Sequence, residues 1–391
     1  MIFSQKEVDF LRENFKEYYS RFSPCPEDVL SREAGFGVYK KIDFRHKAFK
    51  SDAEFKAFLT KEGPLFVSYS VSHYKYPAAR PMQKKGRLGA DLVFDLDALP
   101  KGHEHNKVFC KTCVERARQD ALRLEGFLFS DFGFAKKEVS VNFSGSKGFH
   151  LHVDSELVLE LSASARQKLV DYVSAQSLES DKFFPSVPKK KTAQVMDVSS
   201  DQLLGPSQSS RGWFKRVHNR AVEQLSKPDE ELVGYLRTAG YSLKHAKSIA
   251  LQKKSIVGDL KKGVGADSCF SVWDSFVQPE KLVAQTVLDQ RVLGVEADRS
   301  VTFDLSRLIR LPNSLHGDTG LLAKSISSLS SFDALKDAVA FSDKKALKVV
   351  PLYSACFELA NQGFEVEKGK GVELPLCAAV LLLCRKAAVL A

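Results

Sequence analysis

The sequence predicts a mixed α/β (α+β) fold carrying a helical insertion, on three observations. Strand-like segments flank a Lys-rich stretch of helical periodicity at 216–285; Met1–Phe22 spaces its apolar residues as one face of a helix; and 44% of the 391 residues are hydrophobic against 27% charged. Such a composition excludes disorder as a description of the whole chain. The length suits one large or two moderate domains, which we divide into a core of 1–215 and 286–391 around an insertion of 216–285.

In chain order, the amphipathic N-terminal segment carries Lys6, Glu7, Arg12 and Lys16 among its apolar residues, so it reads as a helix and not as a signal-peptide core. A Pro-broken stretch, Ser23–Asp28, separates it from segments expected as strands, Gly37–Phe44 and Pro64–Val71. After the basic loop Lys84–Arg87 comes a further strand, Ala90–Leu99, and then a polar loop rich in His and Cys. From Val114 the period lengthens to that of a helix marked by Ala117, Ala121, Leu124 and Phe127. Glu138–Phe143 and Phe149–Val153 read as strands around a glycine-bearing loop, and residues 156–185 as helical in their first half. Within the insertion, Pro228-Asp229-Glu230-Glu231 is a helix start with acids in the first turn. Strand signals return after Gln285 and run through Val301–Leu311 towards the C-terminus.

With 58 Lys+Arg against 48 Asp+Glu the net charge is +10, which favours an anionic partner. Seven scattered cysteines do not form a disulfide framework, so a reducing, cytoplasmic setting is expected. The apolar run Leu374–Cys384 ends at Arg385 and Lys386, short of the roughly 20 residues that span a bilayer, so no membrane association is expected.

The Ala90–Leu99 segment carries the first chemistry. Leu92, Phe94 and Leu96 fall on one face of a strand, and Asp95 and Asp97 on the other, about 6–7 Å apart at the backbone. Two carboxylates so placed repel each other unless a cation lies between them, and such a pair can converge on divalent ions. A half-buried strand whose acids meet water or lysine would show the same spacing. Next, Ser144-Gly145-Ser146-Lys147-Gly148-Phe149-His150 offers glycines, hydroxyls and a cation, which is phosphate-binding chemistry without Walker spacing, although a plain hairpin loop also fits. A third block, Asp298–Gly317, adds another acid, the arginines 299, 307 and 310, and His316 in a Pro/Asn/Gly turn. A salt-bridged strand or helix edge is its bland alternative. Lys189-Lys190-Lys191 and the pairs at 253–254 and 261–262 are solvated basic faces or contacts to a nucleic-acid backbone.

His103-x-His105-x4-Cys110-x2-Cys113 sets a Cys pair at knuckle spacing beside two imidazoles, and four N/S ligands suit structural Zn²⁺; a free Cys pair in a polar loop is the alternative.

These blocks, taken in order, resemble the small catalytic subunit of archaeal DNA primase, in the archaeo-eukaryotic primase family. The likeness runs through Ser31–Phe36, Arg45-His46, Leu88–Leu99, Cys110-x-x-Cys113, Asp131–Phe134, Phe143–His150, Gly212–Val217, Asp298–Gly320 and Val372–Pro375. It implies a mixed α/β polymerase core that makes short RNA, or DNA, primers on single-stranded DNA, working with a large regulatory subunit and using NTPs or dNTPs. It also implies that Asp95, Asp97 and Asp298 are the three catalytic acids holding Mg²⁺ or Mn²⁺. Ser144, Lys147 and His150 resemble the family's triphosphate contacts, Arg310 and His316 stand where the family places a cation and a His near the nucleotide, and Arg45 resembles a nucleotide contact; Lys147, His150, Arg310 and His316 are expected to neutralise the triphosphate. The family's zinc knuckle falls at about 101–115, where His103 matches its first ligand better than His105 matches its second. Two other readings remain: a related primase-polymerase for plasmid replication or end joining, and an inactive nucleic-acid-binding homologue.

Overall fold

The computed structural model describes residues 4–97, 104–176, 178–187, 202–203, 205–262, 273, 276, 278–288 and 293–391. Two compact units divide the chain: one holds 1–122, 134–170 and 296–391, the other 123–133 and 171–295.

The first unit opens with helix α1 (Gln5–Arg21), whose buried Val8, Leu11, Phe15 and Tyr19 form the expected apolar stripe. Strands β1 (Arg32–Gly37), β2 (Phe44–Lys47), β3 (Phe66–Tyr74) and β4 (Arg87–Ala90) then build a five-stranded antiparallel sheet. Its order is Leu308–Arg310, β3, β1, β2, with β4 also paired to β3. The strand expected at Gly37–Phe44 is instead the turn between β1 and β2. A Cβ on Gly37 would fall 1.9 Å from the Lys40 carbonyl oxygen, and the Asp43 carboxylate accepts the amides of Val38 and Tyr39 at 2.7 and 2.9 Å. A glycine and an Asx-type acceptor thus fold the chain back where apolar residues alone suggested continuation.

A second antiparallel sheet contains β5 (Leu92–Leu96), β6 (Val139–Phe143) and β7 (Phe149–Val153), in the order Ser325–Ile326, β6, β7, β5. Its register sets Asp95 opposite His150 and Asn142 opposite His150 on the other side. Tyr69 of β3 lies parallel to His152 of β7, with ring centroids 6.5 Å apart. In the third block the strand is shorter than Val301–Leu311, because Arg299–Phe303 is a helical turn. Asp298 caps it, its Oδ1 accepting the Ser300 amide at 2.8 Å, and this local bond overrides the β-preference of Val301 and Thr302. Towards the C-terminus, Val372–Pro375, Ala346–Pro351 and Ala388–Leu390 form a three-stranded sheet, and every residue of the helix Leu376–Cys384 is buried. Among the described residues no helix is long and apolar enough to cross a membrane.

The second unit is mainly helical: Gly212–Leu225, Asp229–Thr238, Leu243–Lys262 and Pro279–Leu288. The Asp229 helix starts at Pro228 with Asp229, Glu230 and Glu231 in its first turn. The 216–285 stretch lies inside this unit, which reaches further in both directions. Packing explains the difference. Trp213 sits 5.3 Å from Phe127 and donates its indole N–H to the Tyr172 carbonyl at 2.9 Å, while Arg216 pairs with Asp131 at 2.8 Å, so residues upstream of the Lys-rich pattern share its core. Lys189-Lys190-Lys191 lies outside the described residues.

Candidate active site and metal centre

On β5, Leu92, Phe94 and Leu96 are fully buried while Asp95 and Asp97 keep 20% and 46% of their side chains exposed, as the alternation requires. The third acid is fixed to this strand through backbone: the Asp298 amide donates to the Asp95 carbonyl at 2.9 Å. Burial, and then the charge of Asp298, push the Asp95 carboxyl up to about 6. Asp97 is also raised, by burial first, with Lys147 opposing and Asp95 adding. Asp298 thus acts on Asp95, and both act on Asp97, a repulsion that a hard divalent cation would relieve.

The Ser144–Gly148 loop closes on itself and against the acids. Ser144 donates its amide to the Gly148 carbonyl at 2.9 Å, and its Oγ accepts the amides of Gly148 (3.1 Å) and Ser146 (3.4 Å). Glycine is needed at both its glycine positions. A Cβ on Gly148 would stand 2.6 Å from the Leu96 carbonyl oxygen and 3.0 Å from Asp97 Oδ1; Gly145, at φ +84°, would place one 2.7 Å from His316 Cβ. Thr319 Oγ1 donates to the Gly145 carbonyl, so loop and third block are joined. Lys147 Nζ stands 4.0 Å from Asp97 Oδ2.

His150 Nε2 lies 3.5 Å from Asp95 Oδ1, and burial, with Arg310 adding, drives the imidazole down to about 3. Burial likewise holds His316 well below the usual histidine range. Both rings are therefore neutral and offer hydrogen bonds only; neutralising charge rests with the cations. His316 Nδ1 accepts the Asp318 amide at 3.1 Å, which leaves the proton on Nε2. Arg310 lies over the Phe66 ring at 5.3 Å, its buried Nη1 has no hydrogen-bond partner among the described residues, and burial pushes its guanidinium down to about 10. A buried cation with an unmet donor calls for an anion.

Arg45 is placed differently from the expectation. Its guanidinium is bidentate to the buried Glu33, at 2.7 and 3.3 Å, and also donates to the Ser306 carbonyl at 3.0 Å. Two cations given no role by the resemblance also act here: Arg307 and then Lys41 lower Asp95, and both act on His150. Arg307 lies inside the third block, whereas Lys41 sits in a two-lysine turn with nothing local to mark it.

At the Cys pair, the nitrogen and sulfur donors of His105, Cys110 and Cys113 all lie within 4.8 Å of one another, with His105 Nδ1 3.1 Å from Cys113 Sγ. The Asn106 side chain shapes the approach by accepting the amides of Val108 and Phe109 at 2.9 and 3.2 Å. Cys113 stands in the first turn of the helix Lys111–Ser130, and burial, with Cys110 beside it, pushes the thiol up to about 12. A bound cation is what would keep this pair ionised. His103 lies outside the described residues.

The family model described as DNA primase small subunit matches residues 94–328. The DNA primase small subunit PriS of Methanothrix thermoacetophila is 35% identical, over 97% of this chain and 98% of its own. Those of Methanococcoides burtonii (34%, 97% of each chain) and Archaeoglobus fulgidus (32%, 96% of each chain) are similar to it along the same length.

Proposed function

The chain belongs to the DNA primase small-subunit family, and on that premise we propose that it is the catalytic subunit that synthesises short RNA or DNA primers on single-stranded DNA for replication. It is read as a nucleotidyltransferase of the cytoplasm, paired with a primase large subunit and using NTPs or dNTPs. The observation that carries this reading is the Asp298 amide on the Asp95 carbonyl, which brings Asp298 from far along the chain to the end of β5 where Asp95 and Asp97 stand. The alternative of a plasmid or end-joining primase-polymerase is not favoured, because the likeness to PriS proteins runs along nearly the whole chain.

Asp95, Asp97 and Asp298 would hold Mg²⁺ or Mn²⁺. Bound there, such ions supply Lewis acidity to the attacking 3′-hydroxyl and to the charge that develops at the α-phosphate. The chain's own groups do the positioning. Lys147 stands beside Asp97 and meets phosphate as a point charge; Arg310 turns its unmet Nη1 donor to the same charge. His316 donates from Nε2, and His150, held against Asp95, accepts or donates without adding charge. Ser144 keeps its Oγ for the loop amides, so its role is to shape the phosphate loop. Arg45 reaches a nucleotide only by sharing or leaving Glu33. Catalysis then rests on orientation and preorganised charge. His105, Cys110 and Cys113, with His103 as the fourth donor, would hold structural Zn²⁺.

The test is primer synthesis on single-stranded DNA with labelled nucleotides and Mg²⁺ or Mn²⁺. Activity surviving Asp95→Ala plus Asp97→Ala would remove these acids from the chemistry.

A further inference from the structure

Between β1 and β2 the chain exposes Tyr39, Lys40, Lys41 and Ile42, with Tyr39 55% and Ile42 38% exposed, and Phe44 at the start of β2 adds a third open apolar side chain. The turn is firmly built. Besides the close approach at Gly37 and the two amides held by Asp43, Tyr39 donates its hydroxyl to Gln5 Oε1 at 3.2 Å. Asp43 is the one acid of residues 38–43, and its carboxylate is turned to those backbone amides, so the two lysines have no compensating charge within the turn.

The turn also has a definite place. Gly35, Ser68 and Arg310 share one cross-strand row and so look to the same face of the first sheet. A Cβ at Gly35 would lie 3.7 Å from Ile42 Cγ2 and 3.7 Å from Arg45 Cβ, so the turn leans over the face that carries Arg310. No ion pair or hydrogen bond among the described residues holds the Lys41 ammonium, while its charge acts on Asp95, Asp97, His150 and His316.

We propose that this turn binds the single-stranded DNA template beside the acids, Lys41 meeting a backbone phosphate and Tyr39 offering its ring face to a base. The proposal rests on the polymerising role given to Asp95, Asp97 and Asp298. Proteins that hold single strands without reading sequence pair cations with aromatic platforms, because every base has a π-face and every linkage a charge. A free triphosphate would engage Lys41 but gives no reason for Tyr39, Ile42 and Phe44 to stand open next to it.

Anisotropy of a fluorescein-labelled oligothymidylate, measured with the full chain across a salt series and without nucleotide, separates these possibilities. Tyr39→Ala should weaken binding about tenfold, and Tyr39→Phe, which keeps the ring, should bind as the parent does. Lys41→Gln should lower the salt slope of the binding constant by about 0.7, the loss of one phosphate contact on a single strand. Unchanged affinity and slope in Tyr39→Ala plus Lys41→Gln would overturn the proposal. So would a raised nucleotide KM with intact DNA binding, which would assign Lys41 to the triphosphate. Failure of the polymerase reading is seen separately, in primer synthesis by Asp95→Ala plus Asp97→Ala, because the anisotropy needs no turnover.

Discussion

Arg32 and Asp91 form a buried ion pair, Nη2 to Oδ2 at 2.7 Å, four residues ahead of Asp95 on the chain that becomes β5. Arg32 spends its other amino group on the Ser70 and Val71 carbonyls, His73 approaches Asp91 Oδ1 at 3.1 Å, and Arg166 donates to the Asp91 carbonyl. The first sheet and the entry to the second are thus tied at one carboxylate.

Asp91→Asn should therefore cost about 3–5 kcal/mol, because it leaves a guanidinium buried without its counter-charge. The pH dependence has a fixed sign. Burial raises the Asp91 carboxyl, but the His73 hydrogen bond and Arg32 together hold it below the ordinary aspartate value. Its stabilisation is then fully present above that ordinary value, about 4, and lost as pH falls through the lowered folded value. Urea denaturation of both proteins should show a gap at about pH 7 that narrows towards about pH 3. A gap that does not change with pH would separate the cost from Asp91 ionisation.

Gly145 and Gly148 should be intolerant of the smallest side chain. Alanine at either pushes the Ser144–Gly148 loop off His316 or off the Leu96 and Asp97 backbone, and small displacements in an active site lower rate by about 10–100-fold. Gly363 has open space around its Cβ position, so Gly363→Ala is the control. Primer synthesis and far-ultraviolet circular dichroism should show Gly145→Ala and Gly148→Ala folded but slow, and Gly363→Ala unaffected. Parent-like rates in both loop variants would mean that the loop does not position substrate.

At the metal centre, Cys110→Ser plus Cys113→Ser should remove about one zinc per chain and lower the Tm. His105→Ala should also release metal, since a ring nitrogen of His105 lies within 4.8 Å of both sulfurs and its Nδ1 stands 3.1 Å from Cys113 Sγ. Elemental analysis decides the histidine: full zinc in His105→Ala with loss in His103→Ala would displace His105 from the site.

How far the site could be read from the residues depended on whether local pattern or long-range packing set each part. The β5 acids were legible because Leu92, Phe94 and Leu96 alternate with them at the period of a strand. Asp298 could be read as an acid ahead of an apolar run, but only the ordered resemblance set it apart from Asp304, since Val301, Thr302 and Phe303 suggest a strand and nothing nearby reports the bond to the Asp95 carbonyl. The pairing of Arg45 with Glu33 follows from the irregular register of β1 against β2, which no local pattern encodes. For the same reason the helical unit begins upstream of its Lys-rich sequence: Trp213 and Arg216 are held by Phe127 and Asp131, far back along the chain.

Arg310 is where stability and function should part most clearly. Its Nη1 is buried without a hydrogen-bond partner among the described residues, and burial lowers its guanidinium to about 10, so in the absence of an anion this charge is a cost to the fold. Against that stands its contact with the Phe66 ring, worth about 0.5–2 kcal/mol. Arg310→Met keeps the apolar stem and removes the cost of burying a charge with an unmet donor. The variant should then melt at or above the parent temperature while primer synthesis falls by about 10²–10³-fold, the loss expected when a preorganised charge is removed from a developing anion. Arg310→Lys should recover part of the rate, because it restores charge without the planar fork. Differential scanning calorimetry beside a primer-synthesis assay reads both effects. A large fall in Tm with retained activity would make Arg310 a structural residue of the first sheet and leave Lys147 as the cation on the phosphates.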